Sequence, residues 1–254
     1  MHPIIARLGP LTIYSYGMMV AIAFIIGLYL AKLEAKRKDI KVDLVYDFAF
    51  YIIIGSLIGA RLYYLAFFEP AGFIKNPIAI FKIWQGGLAI HGAILGGTLI
   101  VLVFSKIHKI SFWKLADLFT PSVILGQAIG RIGCFLNGCC FGVPTKSFLG
   151  VNFPKESLAH ITYNGLAVHP TQLYETFFSA IGFLFLWSIR RRIKFDGGLF
   201  LLYLLTYNCV RIVLSSLRGD SLYIWGTGLK SAQIISGIII CAAIIIFTKK
   251  RKNV

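Results

Sequence analysis

Leu115-Ala-Asp-Leu-Phe-Thr-Pro-Ser-Val-Ile-Leu-Gly-Gln-Ala-Ile-Gly-Arg-Ile-Gly-Cys-Phe135, followed at once by Leu136-Asn-Gly-Cys-Cys-Phe-Gly142, decides how the chain is read. The first part is long and apolar enough for a membrane helix. The stretch from Gly130 to Gly142 holds one Arg, three Cys, one Asn and four Gly, and the longest polar stretch of the protein follows it. An arginine inside a span costs roughly 2.5–3.5 kcal/mol at the helix centre, so Arg131 is expected to be retained for function. The glycines let the backbone bend and approach a ligand closely. The rest of the chain reads as building a pocket around Arg131.

Composition agrees with a membrane reading. Of 254 residues, 57% are apolar and 14% charged, against about 25% charged in ordinary soluble domains. A net charge of +16 would suggest nucleic acid in a soluble protein. Here the basic residues cluster beside apolar runs, as topology signals do, and no nucleic-acid partner is expected. The first apolar run is long for a signal peptide and has no basic segment before it. Cysteines 134, 139, 140, 209 and 241 do not resemble the disulfide framework of a secreted domain.

Working outward, apolar runs fall near 13–31, 44–68, 87–105, 115–135, 171–189, 197–214 and 231–248. Each suits a helix, because backbone polar groups in lipid must be satisfied internally. The expectation is an all-α polytopic membrane protein: one integral membrane domain over 1–254 with seven transmembrane helices. Lys32 to Lys41, Lys106 to Lys114, Arg190 to Lys194 and Lys249 to Lys252 hold most of the 26 basic residues. An odd span count puts all four clusters on one side, so the N-terminus is outside and the C-terminus cytoplasmic. The loop 136–170 then forms a small extracytoplasmic head, with turn chemistry at Asn137-Gly138, Val143-Pro144 and Asn164-Gly165.

The unusual polar residues collect toward the outer ends of the spans: Tyr16, Arg61, His91, Arg131, the segment His169 to Glu175, Arg211 and Arg218. A guanidinium offers a rigid fork of donors matched to phosphate and keeps its charge. Arg131 and Arg211 together suit a phospholipid headgroup; the plainer reading is snorkelling or pairing with a carboxylate. Glu175 is the one carboxylate well placed for such pairing. Gly92 and Gly96 make a small-xxx-small face for tight packing of the third span, which points His91 inward as a candidate proton acceptor. His169-Pro-Thr-Gln-Leu-Tyr-Glu175 reads as an anchored helix start in which Gln172, Tyr174 and Glu175 could orient an arginine. Cys-x4-Cys-Cys is not a usual zinc spacing, and buried cysteine also serves as a small apolar residue. No metal and no cofactor are expected.

Taken together, these motifs resemble the prolipoprotein diacylglyceryl transferase family of bacterial inner membranes. The resemblance rests on Tyr16-Gly17, Gly59-Ala-Arg61, Trp84-Gln85-Gly-Gly with His91-Gly92, and Gly130-Arg-Ile-Gly-x-Phe-x-Asn-Gly138. It continues through His169-Pro-x-Gln172-Leu-Tyr-Glu175 to Tyr207, Arg211 and Arg218. It implies transfer of the diacylglyceryl group of phosphatidylglycerol to the lipobox cysteine of a prelipoprotein, with glycerol phosphate released. By matching position it implies that Arg131 binds the headgroup, that Arg211 is a second essential arginine, and that His91 and Tyr16 are needed for activity. Gly142 matches the glycine that closes the signature. Three positions depart from the family pattern: Cys134 and Cys139 stand where Asn and Glu are usual, and Ser215 where Glu is usual.

The reading is therefore an integral membrane transferase. His91, Arg131 and Arg211 are its candidate catalytic residues. Tyr16, Arg61, Gln85, Asn137, Gly138, Gly142, Gln172, Glu175, Tyr207 and Arg218 join Arg131 as candidate substrate contacts. Phosphatidylglycerol, lipobox-bearing signal peptides and membrane lipid are the expected partners. A lipid-binding membrane transporter and a thiol-redox protein using the three clustered cysteines are the alternatives from other classes.

Overall fold

Hydrocarbon leaves a chain few ways to pair its backbone, and the long apolar runs take the helical one. The structure, a computed structural model, describes residues 3–9, 11–70, 78, 81, 86–219 and 228–252. In chain order the elements are β1 (Ile4–Leu8), β2 (Leu11–Tyr14), α1 (Ser15–Arg37) and α2 (Val42–Phe68), then α3 (Ile90–Ile107) and α4 (Phe112–Asn137). The short α5 (Leu158–Tyr163) lies in the loop after α4, followed by α6 (Thr171–Ile189), α7 (Gly198–Leu217) and α8 (Ser231–Lys252).

Every expected apolar run is covered by one long helix. Six of the seven long helices among the described residues, all but α6, are long and apolar enough to cross a membrane. α6 falls short because its first turns carry Thr171, Gln172, Tyr174, Glu175 and Thr176. The helices also outrun the apolar windows: α1 continues to Arg37 and α8 to Lys252, since a basic side chain ends an apolar run without ending a helix. The fold departs from all-α at its start. β1 and β2 form an antiparallel hairpin turning at Gly9, where φ is +60°.

The chain divides into two compact units, residues 1–30 with 119–254, and residues 31–118. In the second unit, α2 packs along α3. The contact is backbone to backbone: a Cβ built on Gly55, Gly59, Gly92 or Gly96 would run into the partner helix. The expected small-residue face at Gly92 and Gly96 thus finds a matching Gly-xxx-Gly face on α2. Toward the far ends, Phe48 and Phe104 meet edge to face at 5.2 Å. There, Lys38 also pairs with Asp117 at 3.3 Å, and both are nearly buried.

In the first unit α6 packs on α7, and α7 on α8. Ile124, Leu186, Leu199 and Tyr203 make its buried apolar cluster. Two side-chain bonds tie α4 to its neighbours: Ser122 Oγ donates to the Gly27 carbonyl at 2.7 Å, and Thr176 Oγ1 to Ala128 at 3.2 Å. The segment after α4 has a small core of its own, Phe141, Phe153, Ala159 and Val168. Short bridges Pro144–Val168, Val151–Val168 and Gly142–Arg218 stitch it together.

Candidate active site

Three neighbouring helix positions build the centre of the first unit. Arg131 lies in the penultimate turn of α4, Glu175 in the second turn of α6, and Arg211 in the second half of α7. Arg131 Nε pairs with Glu175 Oε2, and Arg211 Nη1 with Glu175 Oε1. One carboxylate therefore holds two guanidiniums, one on each oxygen. The Glu175 side chain is 5% exposed and the two arginines about a fifth exposed, 21% and 20%. The pairing read from sequence as the plainer alternative is present, and it does not exhaust the arginines. Each guanidinium has five N–H donors, while the carboxylate engages one nitrogen of each. The three charges sum to one positive charge, the complement of a single phosphodiester.

The surrounding side chains hold this arrangement. Thr176, next to Glu175, bonds the Ala128 carbonyl one turn before Arg131, fixing the register of α6 against α4. Gln172, one turn earlier on α6, is fully buried and donates from Nε2 to the Cys139 carbonyl at 2.6 Å. Its Oε1 is buried without a protein partner. Thr171 donates to the Cys140 carbonyl at 2.7 Å. Tyr16, at the start of α1, packs on Gly133: a Cβ there would lie 3.2 Å from its ring. Tyr207, one turn before Arg211, stacks on Tyr203 at 5.8 Å. An apolar cleft of about 210 Å³ runs between α6 and α7 beside it, lined by Ile124, Phe178, Ile181, Phe185, Tyr207 and Val210.

Beyond α4 the chain turns back sharply. The Cys139 N–H bonds the Cys134 carbonyl at 3.2 Å and the Gly138 N–H bonds Phe135 at 3.2 Å, with Gly138 at φ +76°. This is a Schellman ending, which requires a left-handed residue where Gly138 stands and brings the flanking positions 134 and 139 together. Cys140 is itself left-handed at φ +63°. As a result the sulfurs of Cys134, Cys139 and Cys140 all lie within 4.8 Å of one another. The neighbouring Cys134 and Cys139 thiols shift the Cys140 thiol below the ordinary thiol range, and the Arg218 and Arg131 charges act the same way; the Cys139 thiol itself donates to the Cys134 carbonyl at 3.7 Å. His169 Nδ1 lies 3.2 Å from the Tyr174 hydroxyl.

Several of the candidate substrate contacts also have partners within the protein. The Gly142 N–H bonds the His169 carbonyl at 2.8 Å, and a Cβ at 142 would lie 2.7–2.8 Å from His169 and from the Leu217 carbonyl. Glycine is needed there because three chain segments cross. Gly138 likewise gives its N–H to the helix end. Arg218 ends α7 in the bridge to Gly142. In the second unit, buried Arg61 donates to the Gly86 and Gly87 carbonyls and lies 5.9 Å over the Tyr64 ring. It fastens the entry to α3. His91, expected to point inward, is exposed on the first turn of α3, since it is Gly92 that meets α2, and it stacks with Tyr63 at 5.8 Å. Gln85 lies outside the described residues.

One residue escaped the sequence reading. Lys230 is 6% exposed and its Nζ donates to the Ser215, Ser216 and Arg218 carbonyls at 2.8, 3.2 and 2.6 Å. A cation on the last carbonyls of α7 satisfies groups a helix end leaves open and favours its dipole. The only sequence cue was a lone lysine among apolar residues just before α8. Ser215, where the family usually has Glu, is buried and bonds back to Ile212 at 2.9 Å.

The first unit therefore defines a class: a polytopic helical membrane protein with an arginine–carboxylate–arginine cluster beside an apolar cleft. Residues 3–249 match the family model described as prolipoprotein diacylglyceryl transferase. A protein of Oceanobacillus iheyensis named phosphatidylglycerol–prolipoprotein diacylglyceryl transferase is 40% identical over 253 residues, which is 98% of this chain and 88% of that protein. Proteins of the same name from Halalkalibacterium halodurans and Fusobacterium nucleatum are 40% and 37% identical, over 96% and 100% of this chain and 85% and 100% of theirs. The chain belongs to the prolipoprotein diacylglyceryl transferase family.

Proposed function

We propose that Arg131 and Arg211, held by Glu175, bind the phosphate of phosphatidylglycerol while the chain carries out the family's reaction. That reaction transfers the diacylglyceryl group of phosphatidylglycerol to the lipobox cysteine of a prelipoprotein. The thiol first loses its proton, because the thiolate is the nucleophile. Its sulfur attacks the glyceryl carbon that bears the phosphate ester. A carbon–sulfur bond forms, the carbon–oxygen bond breaks, and glycerol phosphate leaves with the bonding pair. Negative charge grows on the departing phosphate as that bond breaks. Guanidinium donors already fixed around it stabilise this change without reorganising.

The observation that carries the reading is the shared carboxylate. It presets two arginines side by side and leaves one positive charge for the diester. The apolar cleft beside Tyr207 suits an acyl chain of the same lipid, with its headgroup one helical turn away at Arg211. Tyr16, Asn137 and Tyr207 order the headgroup in this proposal. His91 is proposed as the proton acceptor or its relay, on its family position alone. α6 is taken as a seventh span, so that the basic clusters face the cytoplasm of a bacterial cell and the loop 136–170 faces outward from its inner membrane.

The test is a gel-shift assay with purified protein in detergent. It is given phosphatidylglycerol and a prelipoprotein peptide whose lipobox cysteine is intact or replaced by serine. Transfer to the cysteine peptide alone, with glycerol phosphate released, is expected. Lipid binding without transfer would refute the proposal and favour a lipid carrier.

A further inference from the structure

We propose that Cys134, Cys139 and Cys140 form a three-sulfur site for a thiophilic divalent cation of the Zn²⁺ class. Neither the transfer chemistry nor the arginine cluster uses these residues. All five cysteines are free thiols, and these three bring their sulfurs within 4.8 Å of one another. Zinc–sulfur bonds of about 2.3 Å set sulfurs about 3.8 Å apart in a tetrahedral site. The observed spacing lies within about 1 Å of that value.

The backbone presents the thiols rather than leaving their meeting to chance. The Schellman ending of α4 sets position 139 against position 134 through the 3.2 Å bond from the Cys139 N–H to the Cys134 carbonyl. Cys140 keeps a left-handed φ of +63°, a conformation that is uncommon for a side-chain-bearing residue other than Asn or Asp. Gln172 and Thr171 pin the Cys139 and Cys140 carbonyls at 2.6 and 2.7 Å. The three ligands are thus fixed from α4, from the turn, and from α6 behind it.

Ligand chemistry and charge select the cation. Thiolates favour soft and borderline metals over calcium or magnesium. Three thiolates on one divalent cation, their remaining thiol protons released on binding, leave a centre with one negative charge. Three protein ligands leave the fourth position to water, as in sites with an exchangeable ligand. A pair of sulfurs joined in a disulfide would instead leave the third unused.

The experiment uses the full chain in detergent, reduced and stripped of metal under inert gas. Co²⁺ is added and the near-ultraviolet thiolate-to-cobalt bands are read, followed by Zn²⁺. The expected result is one Co²⁺ per chain, displaced by Zn²⁺, with protons released on binding. Zn²⁺ also raises the Tm of the wild type. These responses persist in the Cys209→Ser, Cys241→Ser double variant and vanish when Cys134, Cys139 and Cys140 are all changed to serine. Should that triple variant fail to fold, Cys140→Ser alone is read; it must weaken cobalt binding by roughly tenfold or more. Absent bands in the reduced wild type, or an unchanged spectrum in Cys140→Ser, overturn the proposal. So does a disulfide among the three that persists in the protein after reduction.

Discussion

Replacing Arg131 by lysine keeps the charge and removes the fork, so it tests the proposed geometry most directly. In the structure Arg131 gives Nε to Glu175 Oε2, which leaves its two terminal nitrogens for a second acceptor. A lysine ammonium is one point with three donors on a shorter head, and it cannot span the carboxylate and a phosphate in two fixed directions. The lost interaction is one that strengthens as charge develops on the leaving phosphate. Losing one such donor lowers kcat by about 10²–10³, or about 2.7–4 kcal/mol of barrier. The assay is the initial rate of transfer to a lipobox peptide in mixed micelles across a range of phosphatidylglycerol content. The expected outcome is a fall of about a hundredfold in kcat, with Tm and gel-filtration profile close to wild type. A rate within about threefold of wild type (less than 1 kcal/mol of barrier) refutes the role. A large rise in KM with kcat unchanged refutes it as well, because that pattern marks uniform binding and not stabilisation of the departing phosphate.

Other consequences are equally open to measurement. Glu175→Gln removes the charge that gathers the two arginines, and a buried pair broken from one side costs about 3–5 kcal/mol; a lower Tm together with lost transfer is expected, and an unchanged Tm would show that the arginines do not depend on it. Gly59→Leu drives a side chain into the Gly92 carbonyl and the Gly96 backbone; overpacking of about 1–3 kcal/mol is expected, read as a lower Tm. Lys230→Met leaves three carbonyls at the end of α7 without their cation; a loss of about 1–3 kcal/mol is expected, and a Tm equal to wild type would show that water replaces the ammonium without cost. His91→Asn should abolish transfer while leaving phosphatidylglycerol binding intact, and normal turnover in it would remove His91 from the mechanism.

The spans were the most legible part of the fold. Hydropathy accumulates over some twenty consecutive residues, so each run showed itself without any neighbour, and α6 was delimited at Thr171–Ile189 as expected. The hairpin of Ile4–Tyr14 was not, because two short strands around Gly9-Pro10 blend into the apolar run that follows. Among site residues, Arg131, Arg211 and Glu175 were legible as costly groups in apolar surroundings. Arg61 was legible as unusual and Gly142 through the family resemblance, but their partners were not. Arg61 turned out to hold the Gly86 and Gly87 carbonyls, and Gly142 to lie where three segments cross.

By itself, the sequence determined that the chain is a polytopic helical membrane protein, where its helices run, and which few polar residues needed an explanation. These are properties of composition and spacing along one chain. Which guanidinium meets which carboxylate depends on the rotation and register of one helix against another, and no local pattern encodes that. The tertiary structure alone decided that Glu175 serves both arginines. The Asn137-Gly138 turn was visible in the sequence, yet only the folded turn showed it carrying Cys139 and Cys140 back onto Cys134, because a spacing of five residues fixes no distance until a left-handed glycine reverses the chain.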